Sequence, residues 1–339
     1  MGDLDQYPNF LAFFQEEIAV KGWIPVVQEH VFSKTPNAET VFANLLEGLY
    51  HPLIHLGLGV EFNQPSIVAE GLAQAASHDS MGMETFFVQA EEAAKRSKKS
   101  QQSLVNLLKE VRANDDIRNA PEAFTDGPTR VRDAVLKPGN LEQIVDIAAQ
   151  FRVQPEDLKL RLAETINSSA YTTGAAQRPG KARKIDFFHM HAVTASIALR
   201  VLSEQHWIDH ADKARLVEWK GRADLVWYAA SAAVELRLED ITTYQPEGSS
   251  RWDWSTLFKA VLKVHDDGHL AKLIRALKNG EEYSKGAEPD DKEAFPIQGD
   301  SWLKIAQIAY DSTVDREIEE KWIWGVGFDT FWEHVPDLK

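Results

Sequence analysis

Three clusters of residues have the types and spacing that metal chemistry needs. His51 and His55 stand four apart in HPLIHLGLGVEF. On a helix that spacing puts both imidazoles on one face, within reach of one ion. The neighbours Leu53, Ile54, Leu56 and Leu58 are apolar, so the face is expected to be buried. The alternative is a pair of core histidines satisfied by backbone or carboxylates. His265 and His269 repeat the spacing in VHDDGHLAKLIRAL, with Lys272 three residues beyond His269 and Arg275 three beyond Lys272. A lysine inside an apolar helical stretch is costly unless paired or neutralised. Either it snorkels to the surface or pairs with Asp266 or Asp267, or it sits beside a metal with its charge removed. A neutral amine adds carbon dioxide to become a carbamate, an anionic oxygen ligand stabilised by the ion it binds. His189 and His191, in DFFHMHAVTAS, are two apart and point to different faces of a helix. At most one of them faces a given site, and each taken alone reads as a partly buried structural histidine.

Other chemistries have weaker support. The sequence has no cysteine, which removes disulfides, thiolate metal sites, Fe–S clusters and a cysteine nucleophile. GLGVEF has two close glycines without the third of a dinucleotide fingerprint, and there is no P-loop. No GxSxG elbow occurs. His265-Asp266 matches the doublet of metal-dependent phosphohydrolases, but a single such doublet is a common pair. Of the ten tryptophans, Trp219, Trp227, Trp252 and Trp254 read as core before they read as a substrate platform.

The elements that must position these residues are helical. Phe10, Leu11, Phe13, Phe14 and Ile18 recur at helical spacing, as do Val41, Leu45, Leu46 and Leu49. The second pattern runs on toward His51, where Pro52 either kinks the helix or opens a new first turn. Helices are expected over 67–76, started by Pro65 and Ser66, and over 85–112, with the Lys95–Lys99 cluster as a solvated connection. The segment 114–139 is polar, carries Arg118, Arg130 and Arg132, and reads as loop with a short helix. Helices follow over 141–150 and 155–168, a basic loop over 174–185, then helices over 187–202, 211–233, 254–277 and 302–318, with Gly268 inside the third of these. Loops are expected at 246–253 and 283–299. No alternation of strand type persists and no fixed repeat is visible. The reading is an all-α protein of about ten or more helices in one large multi-helix domain.

Length and composition agree. The 339 residues are 44% hydrophobic and 26% charged, an ordinary globular balance with enough length for a sizeable core. Thirty-seven Lys and Arg against 52 Asp and Glu leave a net charge of −15, a poor match to nucleic acid or an anionic membrane. No apolar run reaches the roughly 18 residues of a membrane helix. The first residues show neither a basic n-region nor an apolar h-region. A soluble, cytoplasmic protein is the expectation.

Five blocks together carry a more specific signal: YPNFLAFFQEEIAVKG, HPLIHLGLGVEFNQPSIVAEGLAQAA, TGAAQRPGKARKIDFFHMHAVTAS, RLVEWKGRADLVWYA and DDGHLAKLIRALKNGE. In order and spacing the chain resembles the questin oxidase-like family of fungal oxygenases over almost its whole length. The resemblance implies a helical fold and a role in secondary-metabolite biosynthesis, oxidatively opening the central ring of an anthraquinone-type polyketide with dioxygen. It implies either a non-haem iron, Fe(II), or an NADPH-requiring oxygen insertion of Baeyer–Villiger type. Carried over by position, the implied iron ligands are His51, His55, His191, His269 and a carboxylated Lys272. His189 and His265 fall where the family is expected to have other residue types. Tryptophan and phenylalanine near the iron would stack on the flat substrate, and Arg178, Lys184 or Arg275 would hold a phenolate. The family also implies an upstream histidine-rich segment that this chain is expected to lack, which leaves open a non-catalytic ligand-binding protein with an incomplete site, and a homo-oligomer. A hydrolase built on His265 and Asp266 is the remaining alternative.

Overall fold

The structure is a computed structural model that describes residues 1–246, 248–285 and 292–338, with the backbone alone at Ile318. Among the described residues the secondary structure is helical, and strand pairing is confined to three isolated bridges. The all-α expectation holds. No helix among the described residues is long and apolar enough to cross a membrane. The expected loops at 246–253 and 283–299 include Glu247 and residues 286–291, which lie outside the described residues. The chain divides into two compact units. One comprises 1–102, 136–162 and 197–223, and the other 103–135, 163–196 and 224–339.

The first unit opens with Tyr7–Lys21, whose Pro8 sits in the first turn where its missing N–H costs nothing. Thr35 caps the helix Pro36–Asn44 by accepting the Ala38 N–H. That helix does not run on to His51. The buried Asn44 amide donates to the carbonyls of Ala75 and His78, both at 2.9 Å, and the chain then turns. Gly48, Leu49 and Tyr50 hold φ of 52°, 58° and 62°. A left-handed conformation costs a residue with a side chain roughly 1–2 kcal/mol, so two in succession must be held by their surroundings. His51–Glu61 then starts afresh with Pro52 in its first turn, the second of the two alternatives the proline offered. The glycines of GLGVEF serve packing. A Cβ on Gly57 would lie 2.2 Å from the Ala198 Cβ, and one on Gly59 would lie 2.6 Å from the Val68 nitrogen. The second contact lets Pro65–Ser77 lie close against His51–Glu61.

A polar knot ties the helix Pro36–Asn44 to two further helices of this unit. Arg215, in His210–Ala230, donates to both carboxylate oxygens of Glu39 at 2.8 and 2.6 Å and to Glu91 at 2.6 Å. Its guanidinium lies 4.3 Å from the Trp219 ring centre, and the Trp219 Nε1–H donates to Glu91 at 2.7 Å. The arginine's hydrogen bonds hold the Glu39 carboxyl below the usual range. Arg215→Ala leaves two partly buried carboxylates unpaired. The expected loss is about 2–3 kcal/mol at pH 7, below the roughly 3–5 kcal/mol of a fully buried pair because Glu39 and Glu91 keep 28% and 20% side-chain exposure. A depressed folded-state pKa contributes stability above the unfolded pKa of about 4.3 and loses it as pH falls through the folded value. Urea titrations should therefore show the gap between wild type and variant narrowing below about pH 4. An equal gap at pH 3 and pH 7 would contradict the account.

In the second unit Asp186 starts the helix Phe187–Ser203. Its Oδ1 accepts the N–H groups of Phe188 and His189 at 2.8 and 3.0 Å, while Oδ2 accepts that of Val326 at 2.8 Å. Gln177 closes the basic loop before it. The Gln177 amide donates to the carbonyls of Gly174 and Lys184 and accepts the Lys184 N–H. One expectation fails here. Residues 254–277 are two helices, Trp254–Val261 and His269–Ser284, with Gly268 outside the second at φ 90°. Asp266 is the reason. Its carboxylate accepts the N–H groups of Gly268 and Leu270, turning Asp-Asp-Gly into a helix start. His265 and His269 therefore do not share a helix face. The expected helix over 302–318 is likewise shorter, Ser301–Thr313, with a separate turn at Ile318–Lys321. The stretch 85–112 is two helices, Met83–Arg96 and Leu104–Ala113.

Candidate metal centre

Each unit has candidate histidines of its own. In the first, His51 and His55 lie one turn apart on one helix, with ring centres 6.2 Å apart. Both are half-buried. The His55 Nδ1 lies 2.9 Å from the His51 carbonyl oxygen. A carbonyl only accepts, so Nδ1 carries the proton and Nε2 keeps a lone pair for a ligand.

In the second unit His191 and His269 come together, ring centres 5.2 Å apart. The His191 Nδ1 donates to the Phe187 carbonyl at 2.7 Å, which again makes Nε2 the lone-pair atom. The His269 Nδ1 lies 2.7 Å from the Asp267 carboxylate, and its Nε2 has no hydrogen-bond partner among the described residues. Metal-binding histidines characteristically show one nitrogen tied to a carbonyl or carboxylate and the other turned to the ion. Phe187 packs beside the two rings, 4.8 Å from His191 and 5.1 Å from His269. His189, on the same helix, turns to other partners. Its Nδ1 meets the Thr172 carbonyl at 3.2 Å, and its ring centre lies 6.5 Å from that of Tyr228.

Lys272 stands in the first turn of the helix that His269 begins. It makes no hydrogen bond or ion pair through its amine among the described residues, so neither Asp266 nor Asp267 neutralises it by contact. Burial lowers its pKa, with the two aspartates opposing from a distance. That is the environment in which an amine is available in its neutral form. His265 is exposed and the Asp266 carboxylate is committed to the helix start, which leaves little for a hydrolase at this doublet.

The three cations suggested for a phenolate have other partners. Arg178 pairs with Asp329. The Lys184 amine is buried and donates to the carbonyls of Ser312 and Glu320, and burial pushes its pKa down to about 8. It lines a cleft of about 960 Å³ in which Arg183 and Arg316 are matched by Asp311, Asp315 and Glu320. Arg275 also has partners of its own. Sequence reasoning gave no role to Arg130, which ends the short helix Gly127–Arg130 and carries no spacing signal. It is 2% exposed, lies 5.3 Å from the Phe188 ring centre and 4.9 Å from that of Phe328, and donates to the Trp324 carbonyl at 3.1 Å. Elsewhere in the first unit, Glu17, Glu29 and His30 gather closely enough for an ion, but Lys21 already bridges the two carboxylates.

The fold and these histidines can be set beside known proteins. The family model described as questin oxidase-like matches residues 1–277. A questin oxidase of Aspergillus terreus is 58% identical over all of this chain and 76% of its own length. A Baeyer-Villiger oxidase of Pestalotiopsis fici is 55% identical over the same shares. A questin oxidase of Aspergillus fumigatus is 57% identical over 99% of this chain and 76% of its own length. The matches to the first two relatives span all five blocks that carried the resemblance, and the relatives are oxidases or monooxygenases by name. The chain belongs to the questin oxidase-like family, and it is an oxygenase.

Proposed function

We propose that this oxygenase cleaves the central ring of an anthraquinone-type polyketide with dioxygen, at one non-haem iron held by His51, His55, His191, His269 and carboxylated Lys272. The observation that carries the reading is that His55 and His191 each commit Nδ1 to a backbone carbonyl, while the His269 Nδ1 lies 2.7 Å from the Asp267 carboxylate. Imidazole nitrogen with one hard oxygen donor suits Fe(II). Iron, once bound, supplies the one-electron chemistry that lets dioxygen react with a closed-shell aromatic ring.

The protein's own residues do the rest. The carbonyls of His51 and Phe187 fix which nitrogen of His55 and His191 carries the proton and how each ring is turned, and the Asp267 carboxylate lies beside the His269 Nδ1. Lys272, in its neutral form, adds carbon dioxide through its nitrogen lone pair and releases one proton. The resulting carbamate carries a negative charge that offsets the dication in a half-buried place. Phe187 keeps water from the faces of His191 and His269 that it covers.

The names of several relatives favour a second reading, an oxygen insertion of Baeyer–Villiger type, for which the family resemblance implies NADPH as reductant and the same substrate class. An oxygen electrode separates the two. The iron reading expects oxygen uptake that needs a hydroxyanthraquinone, stops with an iron chelator and proceeds without NADPH. Uptake coupled mole for mole to NADPH oxidation, and indifferent to chelator, would replace it with the second. Quenching of tryptophan fluorescence by the quinone without any product would make the chain a binding protein.

A further inference from the structure

In the second unit Phe187 has His191 and His269 on one side and the indole of Trp324 on another. Trp324 stacks on Phe187 with ring centres 4.2 Å apart and planes 26° apart, and meets Phe188 edge-on at 6.1 Å. It is 42% exposed, whereas Trp322 and Trp332 in the same segment are each 2% exposed. The exposure is not that of a loose chain. The Ile323 N–H donates to the Ile185 carbonyl at 3.0 Å, and the Ile323 carbonyl accepts the Phe187 N–H at 2.8 Å. Arg130 holds the Trp324 carbonyl, and Asp186 holds the Val326 N–H. Two buried charged residues thus spend hydrogen bonds fixing a segment that presents a large aromatic ring to solvent.

We propose that Trp324 is a substrate-docking platform of this enzyme, its open surface stacking on a planar, electron-poor aromatic substrate on the outer side of the Phe187–Trp324 stack that adjoins His191 and His269. The inference rests on the reading under Proposed function and adds the residue that selects the substrate class. An indole is electron-rich and a quinone ring electron-poor, so offset stacking between them is favourable. The platform is already immobilised, which lowers the entropic cost of binding. Phe187 backs the indole and touches both imidazoles, so a ring stacked on the open surface of Trp324 lies two aromatic layers, Trp324 and Phe187, from them.

The test is titration of the iron-loaded protein with emodin, a trihydroxyanthraquinone, by calorimetry and tryptophan quenching. Trp324→Leu, which keeps apolar bulk without a π face, should bind about tenfold more weakly. Trp324→Phe should recover most of that loss. Melting temperature and iron content should stay at wild-type values in both, and in turnover KM should rise with kcat little changed. A leucine variant that binds within twofold of wild type would overturn the platform and leave the functional reading standing. Should the leucine variant melt early or lose iron, the phenylalanine variant decides: wild-type binding supports the platform, and binding weakened tenfold overturns it. Wild-type protein that binds emodin through Trp324 without consuming oxygen would overturn the functional reading and leave the platform. Wild-type protein that binds no anthraquinone would overturn both.

Discussion

His269→Ala, purified without oxygen, is expected to retain less than about a tenth of the iron that the wild-type chain carries. Loss of a residue that merely orients a ligand typically costs 10–100-fold in metal affinity, so loss of a ligand itself should cost at least that. His269 is a clean position to test. It opens its helix, its Nδ1 faces Asp267, and its Nε2 has no other hydrogen-bond partner among the described residues. Truncating it removes no hydrogen bond on which that helix depends, because Asp266 supplies the cap. His55→Ala should behave in the same way. His189→Ala is the control, since its ring turns to Thr172 and Tyr228, and it should keep its iron. Full occupancy in both His269→Ala and His55→Ala, measured by plasma mass spectrometry on folded protein, would remove these residues from the centre.

Lys272→Ala should weaken iron binding about tenfold or more, and added acetate or bicarbonate should restore part of it. Lys272 has no ion-pair partner among the described residues, and burial lowers its pKa. A lysine kept only for surface solvation would have been free to reach water or one of its aspartates. Restoration by a small carboxylate is the informative part, because a lysine that only packs would not be replaced by one. Growth on 13C-labelled bicarbonate gives a second readout: a carbonyl resonance assignable to a carbamate in wild type and absent from the variant. Unchanged affinity, with no rescue and no such resonance, would make Lys272 a structural residue.

How much of this was legible in the sequence follows from the range of the interactions. His51 and His55 share a helix because local periodicity fixes both, and local periodicity is what a sequence displays. Pro52 marked a boundary whose nature depended on Asn44 reaching the carbonyls of Ala75 and His78, a contact between distant segments. The helix start at His269 was written in Asp-Asp-Gly, yet the apolar spacing on either side hid it and made His265 look like a partner of His269. Arg130, Phe187 and Trp324 were not legible as a group. Their association depends on Asp186 and the Ile185–Ile323 pairing drawing the end of the chain onto the start of another helix. Arg130 carried no spacing signal at all. The family resemblance reached farther than periodicity because it reads order along the chain, but it pointed to Arg178 and Lys184 no more than to any other cation. Only geometry showed that these two are already engaged.

The central claim is a centre of histidine and carboxylated lysine that holds iron. The measurement that tests it most directly is the metal content of the wild-type chain, purified without oxygen or chelator, with the fold checked by circular dichroism. The account predicts close to one iron per chain, in the ferrous state, and little zinc. A folded chain with no bound metal after incubation with ferrous iron and bicarbonate would contradict it.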